Sequence, residues 1–104
     1  MILSKFTYKD EIIERVIIKG HANTDTLGKD ILCAAVSTAI LVTANAMEVL
    51  MLNQHVDLTI ESGYFKLDVK TYHETNQGLL KNLEYTLKDL EKQYPKNMKN
   101  QKEG

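Results

Sequence analysis

The chain holds one cysteine, one proline, five glycines and no tryptophan in 104 residues. A lone cysteine closes no internal disulfide, so a disulfide-built scaffold is excluded and a reducing compartment is expected. The glycines stand far apart, at 20, 28, 63, 78 and 104, which excludes a glycine-rich phosphate loop. No Gly-x-Ser-x-Gly motif is present. The formal net charge is −1, which removes any global pull toward nucleic acid or anionic membrane. The lysines at 88, 92, 96, 99 and 102 alternate with Asp89, Glu91 and Glu103, the pattern of a solvated face, so strong nucleic-acid binding is not expected. Three scattered histidines, His21, His55 and His73, have no partners at metal-ligand spacing, so neither metal nor cofactor is expected. The first ten residues hold no apolar run of signal-peptide length, which makes the cytoplasm the expected location.

What is present suits one globular unit. The chain is 43% hydrophobic and 26% charged, an ordinary globular balance. Residues 2–8 and 12–19 are rich in β-branched and aromatic residues around a polar Lys9-Asp10-Glu11 turn, which predicts a hairpin. Residues 56–60 and 64–69 alternate around Glu61-Ser62-Gly63 and predict a second hairpin. Between them, residues 23–29 read as a loop, and Asp30 is the expected N-cap of a long helix over residues 31–52. A second helix is expected over residues 78–94. Leu79, Leu83, Leu87, Leu90 and Tyr94 form its apolar stripe, and Pro95 stops it. The order β-β-α-β-β-α gives an α+β fold: a small, mostly antiparallel sheet packed by one long buried helix and one amphipathic C-terminal helix. Residues 1–95 form the expected single domain, and 96–104 a polar, frayed C-terminal tail.

The long helix is apolar almost all round, and one sheet face can cover only part of it. The remainder points to a partner subunit and a homodimer. Its length alone would suit a membrane span. Ser37, Thr38, Thr43, Asn45 and Glu48 interrupt it, and no basic cluster or aromatic belt flanks it, so a core helix is expected and no membrane contact.

Cys33 falls near the expected start of this helix, and His21 lies twelve residues upstream at the end of the second strand. A thiol attacks as its thiolate. A helix N-terminus and a nearby imidazolium both favour that anion, and the imidazole can protonate a leaving amine. Each residue also has a plainer role: Cys33 as a small core hydrophobe, His21 as a surface or capping residue, Asp30 as a helix cap. Ser37, one turn after Cys33, either reaches the site or bonds back to the helix backbone.

Taken together, Gly20-His21-Ala22, then Gly28, then Asp30-Ile31-Leu32-Cys33-Ala34-Ala35-Val36-Ser37 resembles the signature of the ribosomal-processing cysteine protease family. The resemblance extends over nearly the whole chain in length and element order. It implies a small cytoplasmic α/β homodimer that removes the N-terminal extension of ribosomal protein twenty-seven of the large subunit. It implies Cys33 as nucleophile and His21 as general base and acid. Asp30 and Ser37 fall beside that pair, while Gly20, Ala22 and Gly28 shape the loop. The family's substrates carry aromatic residues before the cut and a small residue after it. Two departures stand out: residues 23–27 lack the loop glycine of many members, and Leu32 replaces the commoner valine. No acidic third member is apparent, so a dyad is expected. The competing expectation is a non-catalytic, ribosome-associated binding or assembly module in which Cys33 only packs.

Overall fold

The first hairpin forms as its alternation predicts. In a computed structural model, which describes residues 1–20 and 27–104 apart from the side chains of 27–30, β1 (Ile2–Lys9) and β2 (Ile12–Lys19) pair antiparallel with Lys9 opposite Ile12. Asp10 and Glu11 make the two-residue turn at φ +52° and +66°. That double left-handed geometry matches the twist of the flanking strands. A bulge between Thr7 and Tyr8 shifts the register.

The second hairpin is β3 (Val56–Glu61) and β4 (Tyr64–Val69), with Ser62-Gly63 between them and Gly63 at φ +70°. β4 pairs antiparallel with β2, placing Ile18 opposite Phe65 and Lys19 opposite Tyr64. The fifth strand, β5 (Met98–Glu103), runs parallel to β1 and completes the order β3-β4-β2-β1-β5. The fold is therefore α+β and mostly antiparallel, as expected, with one strand more than expected. The polar tail expected to fray is instead an edge strand. Asn100 fastens it: its Nδ2 donates to the Leu87 carbonyl at 2.8 Å and to Glu91 at 3.0 Å, and its Oδ1 accepts from the buried Ser4 hydroxyl.

α1 (Leu27–Val49) and α2 (Glu74–Gln93) lie on one face of the sheet. Ile2, Phe6, Ile13, Val16, Ile18, Val56, Phe65 and Leu67 point into the core from the strands. Leu32, Val36 and Met47 of α1 meet them, as do Leu80, Leu83 and Leu87 of α2. Each such side chain contributes roughly 1.5–3 kcal/mol by leaving water. The opposite sheet face carries Lys5, Arg15, Lys66, Asp68 and Glu103, cross-linked by the Lys5–Glu103, Arg15–Asp68 and Lys66–Asp68 ion pairs.

Both helices depart from expectation in detail. α1 is not buried on most of its surface: Leu32, Val36, Thr43 and Met47 are its buried residues from position 31 onward, and Ile31, Leu41, Val42 and Val49 are exposed. Its segment Ile31–Val49 is long and apolar enough to cross a membrane by length and composition. α2 begins four residues earlier than expected, capped by His73, whose Nδ1 accepts from the Thr75 N–H at 3.1 Å. Its buried face is centred on Leu80, Leu83 and Leu87 and includes Asn76, Gln77 and Glu84, while Leu79, Leu90 and Tyr94 are only partly covered. The polar members are held by hydrogen bonds: Glu84 accepts from Tyr8 and the Asn76 amide nitrogen donates to the Thr71 carbonyl at 3.2 Å. Gln77 accepts from the Ile13 N–H at 2.8 Å and donates to the Ile13 carbonyl at 2.9 Å, so its amide stands in for a strand neighbour. Without it, two buried backbone groups would lose their partners, at roughly 1–3 kcal/mol each.

Tyr8 donates its hydroxyl proton to Glu84 at 2.5 Å, and the Lys102 ammonium sits 4.4 Å from the Tyr8 ring centre. Burial, then the hydrogen bond to Glu84 and its negative charge, raise the Tyr8 phenol above the usual value. The folded phenol stays protonated where the unfolded one ionises, at about pH 10. Stability is therefore lost as pH rises above that point. Urea titrations at pH 9 and pH 11 should show this loss, and Tyr8→Phe should reduce the pH-dependent part. An equal loss in Tyr8→Phe would contradict the assignment.

Candidate active site

Gly20 ends β2 at a place where no side chain fits. Its φ is +122°, and a Cβ there would fall 2.2 Å from the Met1 carbonyl oxygen. Glycine is required because the chain passes directly against the start of β1. The Gly20 N–H donates to the Gly63 carbonyl at 3.0 Å, joining the end of β2 to the tip of the second hairpin.

A cavity of about 380 Å³ opens at this corner, between α1 and the two strand ends. Ile2, Ile18, Phe65 and Ile60 form its sheet side, and Cys33, Val36, Ser37, Ile40 and Leu41 of α1 form the other wall. Glu61, Ser62 and Gly63 border it from the hairpin tip, and Lys19 and Gly20 from β2. Cys33 is half-buried here, and Ser37 follows one turn later in the same wall. The site thus offers a sulfur in an apolar trough wide enough for side chains of a peptide, and among the described residues Lys19 and Glu61 are the charged ones that line it.

Three of the residues singled out by sequence, Gly20, Cys33 and Ser37, come together around this cavity. His21 and Ala22 lie outside the described residues. Gly28 and Asp30 fall in the first turn of α1, and their side chains lie outside the described ones. The helix start corrects one expectation. α1 begins at Leu27, so Asp30 is its fourth residue and not its N-cap, and Cys33 lies in the second turn, not the first. The glycine and polar residues at 28–30 suggest a loop, but Gly and Lys are tolerated inside a helix at about 1 kcal/mol or less each. The N–H groups of α1 that have no partner within the helix therefore lie upstream of Cys33, and the N–H groups around the sulfur belong to the helical ladder.

The hairpin tip at Ile60–Gly63 is a part of the site that sequence reasoning did not single out. The turn itself was legible from Gly63. Its position against α1 depends on the β2–β4 register, which no local signal encodes. Elsewhere, the His55 and His73 rings meet at a tilt of 46° with centres 5.5 Å apart, away from this cavity. Among the described residues, no three His, Cys, Asp or Glu side chains gather as a metal site would need.

Comparison with known proteins places this geometry in context. No curated protein matches the chain. The SMU.848 protein of Streptococcus mutans shares the fold at a TM-score of 0.84 and 31% identity, with 99% of this chain and 94% of that chain aligned. The essential ribosomal processing protease Prp of S. aureus, solved with a covalently linked product peptide, gives a TM-score of 0.85 at 27% identity over 99% and 100% of the two chains. The same S. aureus protease with a substrate peptide gives 0.86 at 26% identity over the same shares. The family described as cysteine protease Prp matches residues 1–99. With that match across nearly its full length, the chain belongs to the Prp family of cysteine proteases.

Proposed function

We propose that this protein is an endopeptidase that trims a ribosomal protein precursor, with Cys33 as nucleophile and His21 as its proton partner. The observation that carries the reading is Cys33 in the wall of an apolar cavity whose far side is the end of β2, the strand that runs on into His21. The Cys33 thiolate attacks the scissile carbonyl carbon, and the C–N bond breaks as the imidazolium protonates the leaving amine. Water then attacks the thioester, giving up a proton to His21, and releases the carboxylate and the thiolate. Gly20 and Ser37, which border the cavity, are assigned supporting roles, as are Ala22, Gly28 and Asp30.

The substrate proposed is the N-terminal extension of ribosomal protein twenty-seven of the large subunit. The S. aureus relative supports a peptide substrate, being a ribosomal processing protease captured with substrate and product peptides. The reading includes a cytoplasmic location, no membrane contact and no strong nucleic-acid binding. Incubation with a peptide copying that extension and its junction, read by mass spectrometry, should give one cut after an aromatic residue. Cys33→Ala should abolish the cut with unchanged circular dichroism, and His21→Ala should slow it by roughly 100-fold or more. Normal cleavage by Cys33→Ala would contradict the mechanism.

A homodimer through α1 is part of this proposal. Ile31, Ala35, Thr38, Val42, Asn45 and Val49 recur at alternating steps of four and three, the spacing of a helix-pairing seam. Ile31, Val42 and Val49 on that seam are 49%, 61% and 78% exposed. A groove of about 280 Å³ beside it, between Ala35, Thr38 and Val42 of α1 and Asn82 and Thr86 of α2, can receive side chains of a second helix. Sedimentation equilibrium should return twice the chain mass, and Val42→Glu should return one chain mass. A monomeric wild-type protein at micromolar concentration would contradict this interface.

A further inference from the structure

We propose that the outer edge of β3 docks the substrate, which adds to the sheet as a sixth strand and delivers its scissile bond to the cavity beside Cys33. The inference rests on the protease reading above and names how that site holds an extended chain.

β3 is the terminal strand on its side of the sheet, and among the described residues nothing pairs with its outer edge. An uncovered edge presents a row of unpaired N–H and C=O groups, a template for another extended chain. Folded proteins usually blunt such an edge with lysine, proline or a bulge. β3 carries the carboxylates Asp57 and Glu61 but no lysine, proline or bulge: its sequence is Val-Asp-Leu-Thr-Ile-Glu, and its pairing with β4 is regular from Val56–Val69 to Glu61–Tyr64.

The inward side of β3 is also left open. Val56, Leu58 and Ile60 alternate on the face that looks toward the helices, opposite Val69, Leu67 and Phe65. Val56 is buried, but Leu58 is 37% and Ile60 50% exposed, so the apolar cover ends before the edge does. A sixth strand would place every second side chain beside Leu58 and Ile60 and the intervening ones beside Asp57, Thr59 and Glu61. The matching occupant is an extended peptide that is apolar at alternate positions. Continuity with the site identifies it as substrate, since Ile60 and Glu61 at the end of β3 also line the Cys33 cavity. A chain following this edge passes directly into the trough where the sulfur lies. Main-chain pairing supplies affinity, and the alternate side chains supply selectivity.

Backbone N-methylation tests the inference, because it deletes one N–H and leaves the side chain in place. The probe is the junction peptide named above, made as a series with one N-methyl group per position and measured by fluorescence anisotropy against Cys33→Ala protein. Binding should weaken about tenfold at alternate positions and hardly at all between them, because only every second N–H of an added strand faces its neighbour. In the unmodified protein, Leu58→Ser, outside the cavity, should raise KM several-fold with kcat little changed. A flat methylation profile, or no binding of the parent peptide, overturns the inference. So does Leu58→Ser that leaves KM unchanged but dissociates the dimer, which would give the edge to a second copy. Failure of the protease reading is separately visible, as peptide that binds Cys33→Ala with the alternating pattern yet is never cut by the unmodified protein.

Discussion

The pairing of β2 with β4 is the contact on which the site depends. It is closed at one end by the hydrogen bond from the Gly20 N–H to the Gly63 carbonyl. It holds the tip of the second hairpin against the end of the strand that leads into His21. Ile18 opposite Phe65 supplies the buried apolar pair beneath the cavity. Gly20 lets the end of β2 lie against the start of β1, since any Cβ there would collide with the Met1 carbonyl. The glycine beside the histidine thus has a packing reason that is independent of chemistry.

α1 meets two further demands with one stretch of small and apolar residues. Leu32, Val36 and Met47 anchor it to the sheet, and Cys33, Ser37 and Ile40 on an adjacent side face the cavity. A helix fixed by core packing is a rigid mount for the side chains it carries, because displacing Cys33 would require disturbing Leu32 and Val36 on either side of it. The apolar cover of the sheet ends at Leu58 and Ile60, so the same face that forms the core becomes a trough near its edge. Core and site are parts of one layer, distinguished by how much of it the helices cover.

The hairpins were legible because alternation and turn residues agree in both. Gly20, Cys33 and Ser37 were singled out by their resemblance to a family signature, and the structure lines one cavity with all three. β5 was not, since Met-Lys-Asn-Gln-Lys-Glu reads as a solvated tail. It is a strand because β1 offers it an edge and Asn100 finds three partners, all long-range facts. The apolar stripe of α2 was misplaced by part of a turn for a related reason: Asn76, Gln77 and Glu84 look solvent-facing until their bonds to Thr71, Ile13 and Tyr8 are known. The start of α1 was set too late because Gly28 suggests a break, although a glycine adds only about 1 kcal/mol to the cost of a helix that packing supports.

The central claim is that Cys33, in its cavity wall, is the atom that attacks a bound peptide. A chloromethyl ketone of the peptide preceding the cut tests this most directly, with the modified residue mapped by tandem mass spectrometry. The account predicts one peptide per chain, attached at Cys33, at a rate slowed by uncut substrate and far above that of iodoacetamide. Attachment elsewhere, or none while the protein still cleaves substrate, would contradict it.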